Sequence, residues 1–213
     1  RRRDRLRDLL NAGLRLDDVY CRPGGRQVGN NNPRRTSDGV EGATIYLSGC
    51  VSQTMLANPR PDIGVMFQPG MSGASGELAK CLTFTRWAAD NGAFAGDIDT
   101  GAWLEWLASL RRYRETCLFA VAPDVVGDAS ATLLKSTPFL PTIRQLGFHA
   151  AFVGQDGQES LPVPWDEFDI FFIGGSTDWK LSEAAYGLAS EAHYRGKHVH
   201  MGRVNSLRRL RAC

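Results

Sequence analysis

Four short apolar runs in this chain end in groups able to do chemistry. Trp87-Ala88-Ala89 leads into Asp90-Asn91-Gly92-Ala93-Phe94, and Ala120-Val121-Ala122-Pro123 leads into Asp124. Phe152-Val153-Gly154 leads into Gln155-Asp156-Gly157, and Phe171-Phe172-Ile173 leads into Gly174-Gly175. A carboxylate beyond a strand end suits acid/base work, with Gly92 allowing the sharp exit into the loop. An isolated Asp90 reads as a turn-capping residue. Four such junctions in series predict one site, because parallel strands in a barrel place their C-terminal ends on a common rim.

The elements that must carry these groups are visible as apolar, β-rich segments: 43–48, 63–68, 83–89, 117–122, 149–153, 169–173 and 198–201. They are continuously apolar, as strands covered on both faces should be. Helical patterns lie between the later ones. Thr100–Arg114 carries Trp103, Leu104, Trp106, Leu107 and Leu110 behind an Asp99 or Thr100 cap; Asp128–Leu146 is interrupted at Pro138 and Pro141; Ser182–Tyr194 ends before Gly196; and Ser206–Ala212 starts another helix. Strands alternating with helices predict a parallel α/β sheet with right-handed crossovers. Seven strands and a further helix predict a (β/α)8 TIM-like barrel lacking its final strand, in a chain of 213 residues against the usual ~250.

Residues 1–42 form a separate basic region, with Arg1–Leu16 patterned as an amphipathic helix and 22–42 rich in Gly, Asn, Pro and Arg. They hold ten Arg and six acidic residues, against fifteen basic and seventeen acidic in 43–213, so the positive balance sits in the first segment. A basic arm of this kind is a form that nucleic-acid contacts take, and equally the form of a solvated leader helix. No apolar run is long enough to span a bilayer and no signal sequence is evident, which predicts a cytoplasmic protein; a start at Arg1 instead of Met predicts a fragment or processed product. Cys21, Cys50, Cys81, Cys117 and Cys213 lack metal-ligand spacing and suit a reducing compartment. His198 and His200 alternate on one strand without a third ligand at suitable spacing, so no metal is expected.

The ordered motifs resemble those of tRNA-guanine transglycosylases. Asp90-Asn91-Gly92-Ala93-Phe94 is similar to that family's Asp-Ser-Gly-Gly-aromatic motif, Val121-Ala122-Pro123-Asp124 to the strand bearing its second Asp, Gly154-Gln155-Asp156-Gly157 to its Gln-Gly turn, and Ile173-Gly174-Gly175 to its Gly-Gly loop. His200-Met201-Gly202-Arg203-Val204 is similar to its Leu-Met-Gly-Val-Gly segment. The segments 122–128, 163–166, 172–180 and 198–206 look more like the bacterial and phage branch that places 7-deazaguanine bases in DNA. The resemblance covers residues 43–213.

That resemblance implies exchange of guanine in DNA, or in tRNA, for a 7-deazaguanine such as 7-cyano-7-deazaguanine, without a cofactor. It implies a homodimer or other modification proteins as partners, and no membrane. Asp90 would work as general acid/base beside the anomeric carbon. Asp124 would read the N–H edge of guanine, a bidentate contact contributing about 1–3 kcal/mol of discrimination. Gln155 and the amides of Gly174 and Gly175 would meet the carbonyl side, Phe94 and Met201 would clamp the ring, and Arg203 would contact phosphate. Plainer roles compete: Gln155 as a turn residue, Met201 as core, and Asp128, Asp156 and Asp178 as caps or loop carboxylates. The family's covalent nucleophile is an Asp on the final strand, which places it after Cys213. Two other readings stay open: a non-catalytic nucleobase- or nucleic-acid-binding barrel, and an unrelated TIM-barrel enzyme acting on a small metabolite.

Overall fold

Each of the seven apolar segments holds a strand. The computed structural model describes residues 18–21, 44–48, 60–70, 82–83, 85–96 and 98–212. Within them lie β1 (Asp18–Cys21), β2 (Thr44–Ser48), β3 (Ile63–Phe67), β4 (Trp87–Ala89), β5 (Cys117–Val121), β6 (Ala150–Gly154), β7 (Ile170–Ile173) and β8 (His198–Met201). The helices are α1 (Thr100–Ser109), α2 (Ala129–Ser136), α3 (Phe139–Gln145), α4 (Thr177–Lys180), α5 (Glu183–Tyr194) and α6 (Leu207–Ala212). The expected helix over 1–16 and the loop over 22–42 lie outside the described residues.

The expected eightfold barrel short of its last strand is not what forms. Six consecutive strands, β3–β8, make an all-parallel α/β sheet curled into a half-barrel. β2 continues it in parallel beside β3, and β1 lies antiparallel to both β2 and β8, completing the ring. A (β/α)8 barrel requires eight parallel strands, each followed by a crossover helix, and β1 breaks that repeat. The position assigned to a strand after Cys213 is thus taken by Asp18-Val19-Tyr20-Cys21, from the stretch read as an arm. Its signal is weak: only four residues, between Arg-rich and Gly-rich sequence. The gain is nonetheless plain, since β8 would otherwise present an unpaired row of amides and carbonyls.

Helix boundaries follow their caps. Asp99 accepts from the Ala102 amide at 3.0 Å, Asp128 from Ala131 at 2.9 Å, Ser176 from Trp179 at 3.2 Å and Ser182 from Ala185 at 3.3 Å. Pro138 separates α2 from α3, while Pro141 sits in the first turn of α3, where its missing N–H leaves no gap in the ladder. Gly196, at φ 71°, follows the C-terminus of α5 in the left-handed conformation that a helix end asks for.

Two apolar layers hold the sheet. One face of the strands (Phe67, Trp87, Ala120, Phe152, Phe171, Met201) packs with Trp103 and Leu107 of α1, Leu140 and Ile143 of α3, and Ala185 and Ala192 of α5. The alternate residues (Met66, Ala88, Phe119, Val121, Val153, Phe172) fill the concave side of the curl. Opposite β4, strand β5 carries one extra residue, pairing Trp87 with Cys117 but Ala89 with Ala120. That irregularity sits one turn of chain ahead of Asp124 and sets which β5 residues face inward. Among the described residues no helix is long and apolar enough to cross a membrane.

Candidate functional site

All the chemistry-bearing groups follow the C-terminal ends of parallel strands: Asp90 after β4, Asp124 after β5, Gln155 after β6, Gly174 and Gly175 after β7, and Arg203 after β8. The sheet ladder continues past the strand ends and holds them. Asp90 N–H donates to Phe67 O at 2.7 Å, Ala122 N–H to Ala151 O at 3.0 Å, Gly174 N–H to Gly154 O at 3.0 Å and Gly202 N–H to Ile173 O at 3.1 Å. Trp103 Nε1 of α1 adds a hydrogen bond to Asp90 O at 3.3 Å.

Asp124 is the centre of the site. It is 7% exposed. One carboxylate oxygen accepts from Asn91 Nδ2 at 2.7 Å and the other from Gln155 Nε2 at 2.6 Å. Neither donor can turn away. Asn91 also donates to Ala122 O at 2.8 Å, and its oxygen accepts from Ala93 N–H at 2.8 Å. Gln155 Oε1 accepts from the Gly127 amide at 2.9 Å and the Gly175 amide at 2.8 Å. Four backbone groups therefore orient two amides, and the two amides aim the carboxylate. A carboxylate has about four acceptor positions, so both oxygens keep capacity for further N–H donors.

Burial pushes the Asp124 carboxyl above its ordinary value, opposed by the hydrogen bonds from Asn91 and Gln155 and by the Lys135 charge. The sign of the consequence follows. With a raised native pKa the folded state binds the proton more tightly than the unfolded chain, so stability falls as pH rises through the interval between the two values. The stability of the wild type relative to Asp124→Asn is expected to decline from about pH 4, the ordinary Asp value, up to the raised native value, and then level off. Urea unfolding across that range measures it; a difference that stays constant with pH would contradict a raised carboxyl.

The two glycines after β7 are shaped by crowding. A Cβ on Gly174 would lie 2.6 Å from Val153 Cγ1, and one on Gly175 would lie 2.6 Å from Asp156 Oδ2 with φ at 70°. Their amides, expected to reach a carbonyl of the ligand, are engaged within the protein, Gly174 with Gly154 O and Gly175 with Gln155. Asp156 accepts from Ser176 N at 2.7 Å and Ser176 Oγ at 2.5 Å, tying this loop to the start of α4.

Asp90, Phe94, Asp124, Gln155, Gly175 and Arg203 all line one cleft at this rim, floored by the concave-side residues Met66, Val121, Val153 and Phe172. The cleft is open at its mouth and has a cavity volume of about 100 Å³. Phe94 is 62% exposed at the mouth, with the Arg203 guanidinium carbon 3.7 Å from its ring centroid. That is a cation–π contact. Arg203 holds φ 56°, unusual for a residue with a side chain. No family model, curated protein or solved structure matches the chain.

Met201 is the expected site residue that the fold places elsewhere. Strand alternation turns it outward, 4% exposed in the layer beneath the helices, while its neighbour His200 faces the concave side against Phe119 and Phe172. Conversely, two cleft residues had no assigned role. Asn91 reads as the first half of an Asn-Gly turn, and only its contacts reveal the buried brace. Lys180 lies within a quoted motif but at the end of a helix, where a solvated lysine is the ordinary expectation; here it is 2% exposed, lines the cleft, and donates from Nζ to Gly202 O at 2.9 Å.

Proposed function

We propose that the cleft binds a guanine-type base and that the chain exchanges guanine in nucleic acid, DNA in preference to tRNA, for a 7-deazaguanine. The observation carrying this reading is that Asp90 and Asp124, borne by successive strands, line a single cleft whose second carboxylate is fixed by two oriented amides. Guanine offers two adjacent N–H donors along one edge, and the remaining acceptor capacity of Asp124 matches them. Asp90, in the cleft lining, would carry the chemistry. In the exchange the sugar C1′–N9 bond breaks and a bond to the incoming base forms, while the proton leaving the incoming base is returned to the departing guanine. A carboxylate beside that carbon stabilises the developing positive charge and relays the proton. Phe94 supplies a stacking face, and Arg203 beside it a cation for phosphate.

One observation favours a second reading, a base-binding module without turnover: β1 occupies the place beside β8 where a nucleophile-bearing strand was expected. A single experiment separates the two. The chain is incubated with radiolabelled guanine and either duplex DNA or tRNA, and incorporation is followed alongside equilibrium binding of free guanine. Incorporation into DNA above tRNA is the expected result. Binding without incorporation selects the second reading, and absence of both removes each.

A further inference from the structure

Resting on the base-binding reading, we infer that Lys135 is a positioning residue for the site: it pins the turn that carries Asp124 and supplies the positive charge behind that carboxylate. Pro123, Asp124 and Val125 follow β5, and a side chain from α2 takes each of their three carbonyls. Ser136 Oγ donates to Pro123 O at 2.7 Å, Lys135 Nζ to Asp124 O at 3.3 Å and Thr132 Oγ1 to Val125 O at 2.9 Å. Thr132 Oγ1 also accepts from Val125 N–H at 2.9 Å. Residues 132, 135 and 136 lie three and four apart and so share one face of the helix. Thr132 and Ser136 are buried and neutral, whereas Lys135 is half-buried and brings a charge. A hydroxyl would satisfy a carbonyl equally well, so the charge needs another reason. Asp90, Lys180 and Arg203 share the cleft lining with Asp124, and Asp128 caps α2. Burial favours the neutral form of Asp124; Asn91, Gln155 and the Lys135 charge oppose it, Lys135 being the charged group among them. Asp124 receives two N–H donors only when ionised, because a protonated carboxyl carries a donor of its own. Lys135 does not line the cleft. It acts on the base through Asp124, by keeping that carboxylate in its accepting form.

The test follows two quantities across one pH range in the full chain, Lys135→Met and Lys135→Arg, with circular dichroism as the check on folding. One is the Asp124 carboxyl titration by carbon NMR, assigned through its loss in Asp124→Asn; the other is the equilibrium affinity for guanine. Lys135→Met is expected to move the carboxyl titration to higher pH. Guanine binding is expected to weaken about three- to tenfold on the acid side of that titration and little well above it, since apparent affinity falls with the competent fraction. Lys135→Arg, which keeps the charge, is expected to restore both profiles. A titration left unmoved by Lys135→Met overturns the inference. So does a loss of affinity equal at every pH, which marks a carbonyl anchor only. Should Lys135→Met not fold, Lys135→Gln removes the same charge and is read by the same criteria. Guanine that binds the wild type at no pH removes the parent reading, and the carboxyl titration alone then decides whether Lys135 keeps Asp124 ionised.

Discussion

Alanine at Asp90 is expected to lower base exchange by about 10²–10⁴-fold, the usual contribution of a positioned acid/base group, while guanine affinity changes by no more than a few-fold. The separation follows from the hydrogen bonding. The main chain at residue 90 is held independently of the side chain, by its own N–H on Phe67 O and by Trp103 Nε1 on its carbonyl. Asn91, the next residue, keeps its own contacts to Ala93, Ala122 and Asp124. On the proposed reading, the half of the site built around Asp124 therefore keeps its hydrogen bonds in the substitution, and the loss falls on charge stabilisation and proton relay. Incorporation of labelled guanine and calorimetric binding, measured on the same preparation, give the two quantities. Equal losses in both would show that Asp90 holds the ligand and has no separate part in the reaction.

Leucine at Gln155 should produce the largest stability loss at the site, about 2–4 kcal/mol. It removes the donor to one oxygen of a buried carboxylate and leaves the Gly127 and Gly175 amides without their acceptor. Each lost contact to a buried polar group costs about 1–3 kcal/mol, discounted here because Gly127 lies at the surface and water replaces its partner. Guanine affinity should fall about tenfold or more, since Asp124 loses one of the two groups that aim it. A double-mutant cycle with Asp124→Leu in urea unfolding tests the coupling. Interaction energies of about 0.5–3 kcal/mol are expected for residues sharing one network; additive losses would mean that Gln155 and Asp124 act separately.

Asp90, Asp124, Gln155 and Gly175 were legible as a group because each follows an apolar run that can only be a buried strand, and parallel strands bring their ends together. The roles within the group were less so. Gln155 was expected to read the ligand, yet its oxygen and nitrogen are both turned to the protein. Met201 was expected in the cleft, yet strand parity puts it on the helix side. Lys180 carried no signal, since burial of a lysine at the end of a four-residue helix depends on what the chain beyond β8 packs over it.

Local pattern by itself determined the α/β class, the order of the strands β2–β8 and of the helices α1, α2, α3, α5 and α6, the caps at Asp99 and Asp128, and the rim on which the polar groups lie. These depend on periodicity and on contacts within a few residues. Tertiary structure alone decided how the sheet ends, with β1 antiparallel between β2 and β8, and the extra residue of β5 opposite β4. It also decided which way each strand-end side chain faces. Those choices are made by pairings between residues far apart in the chain, whose energies exist only once the partners have met.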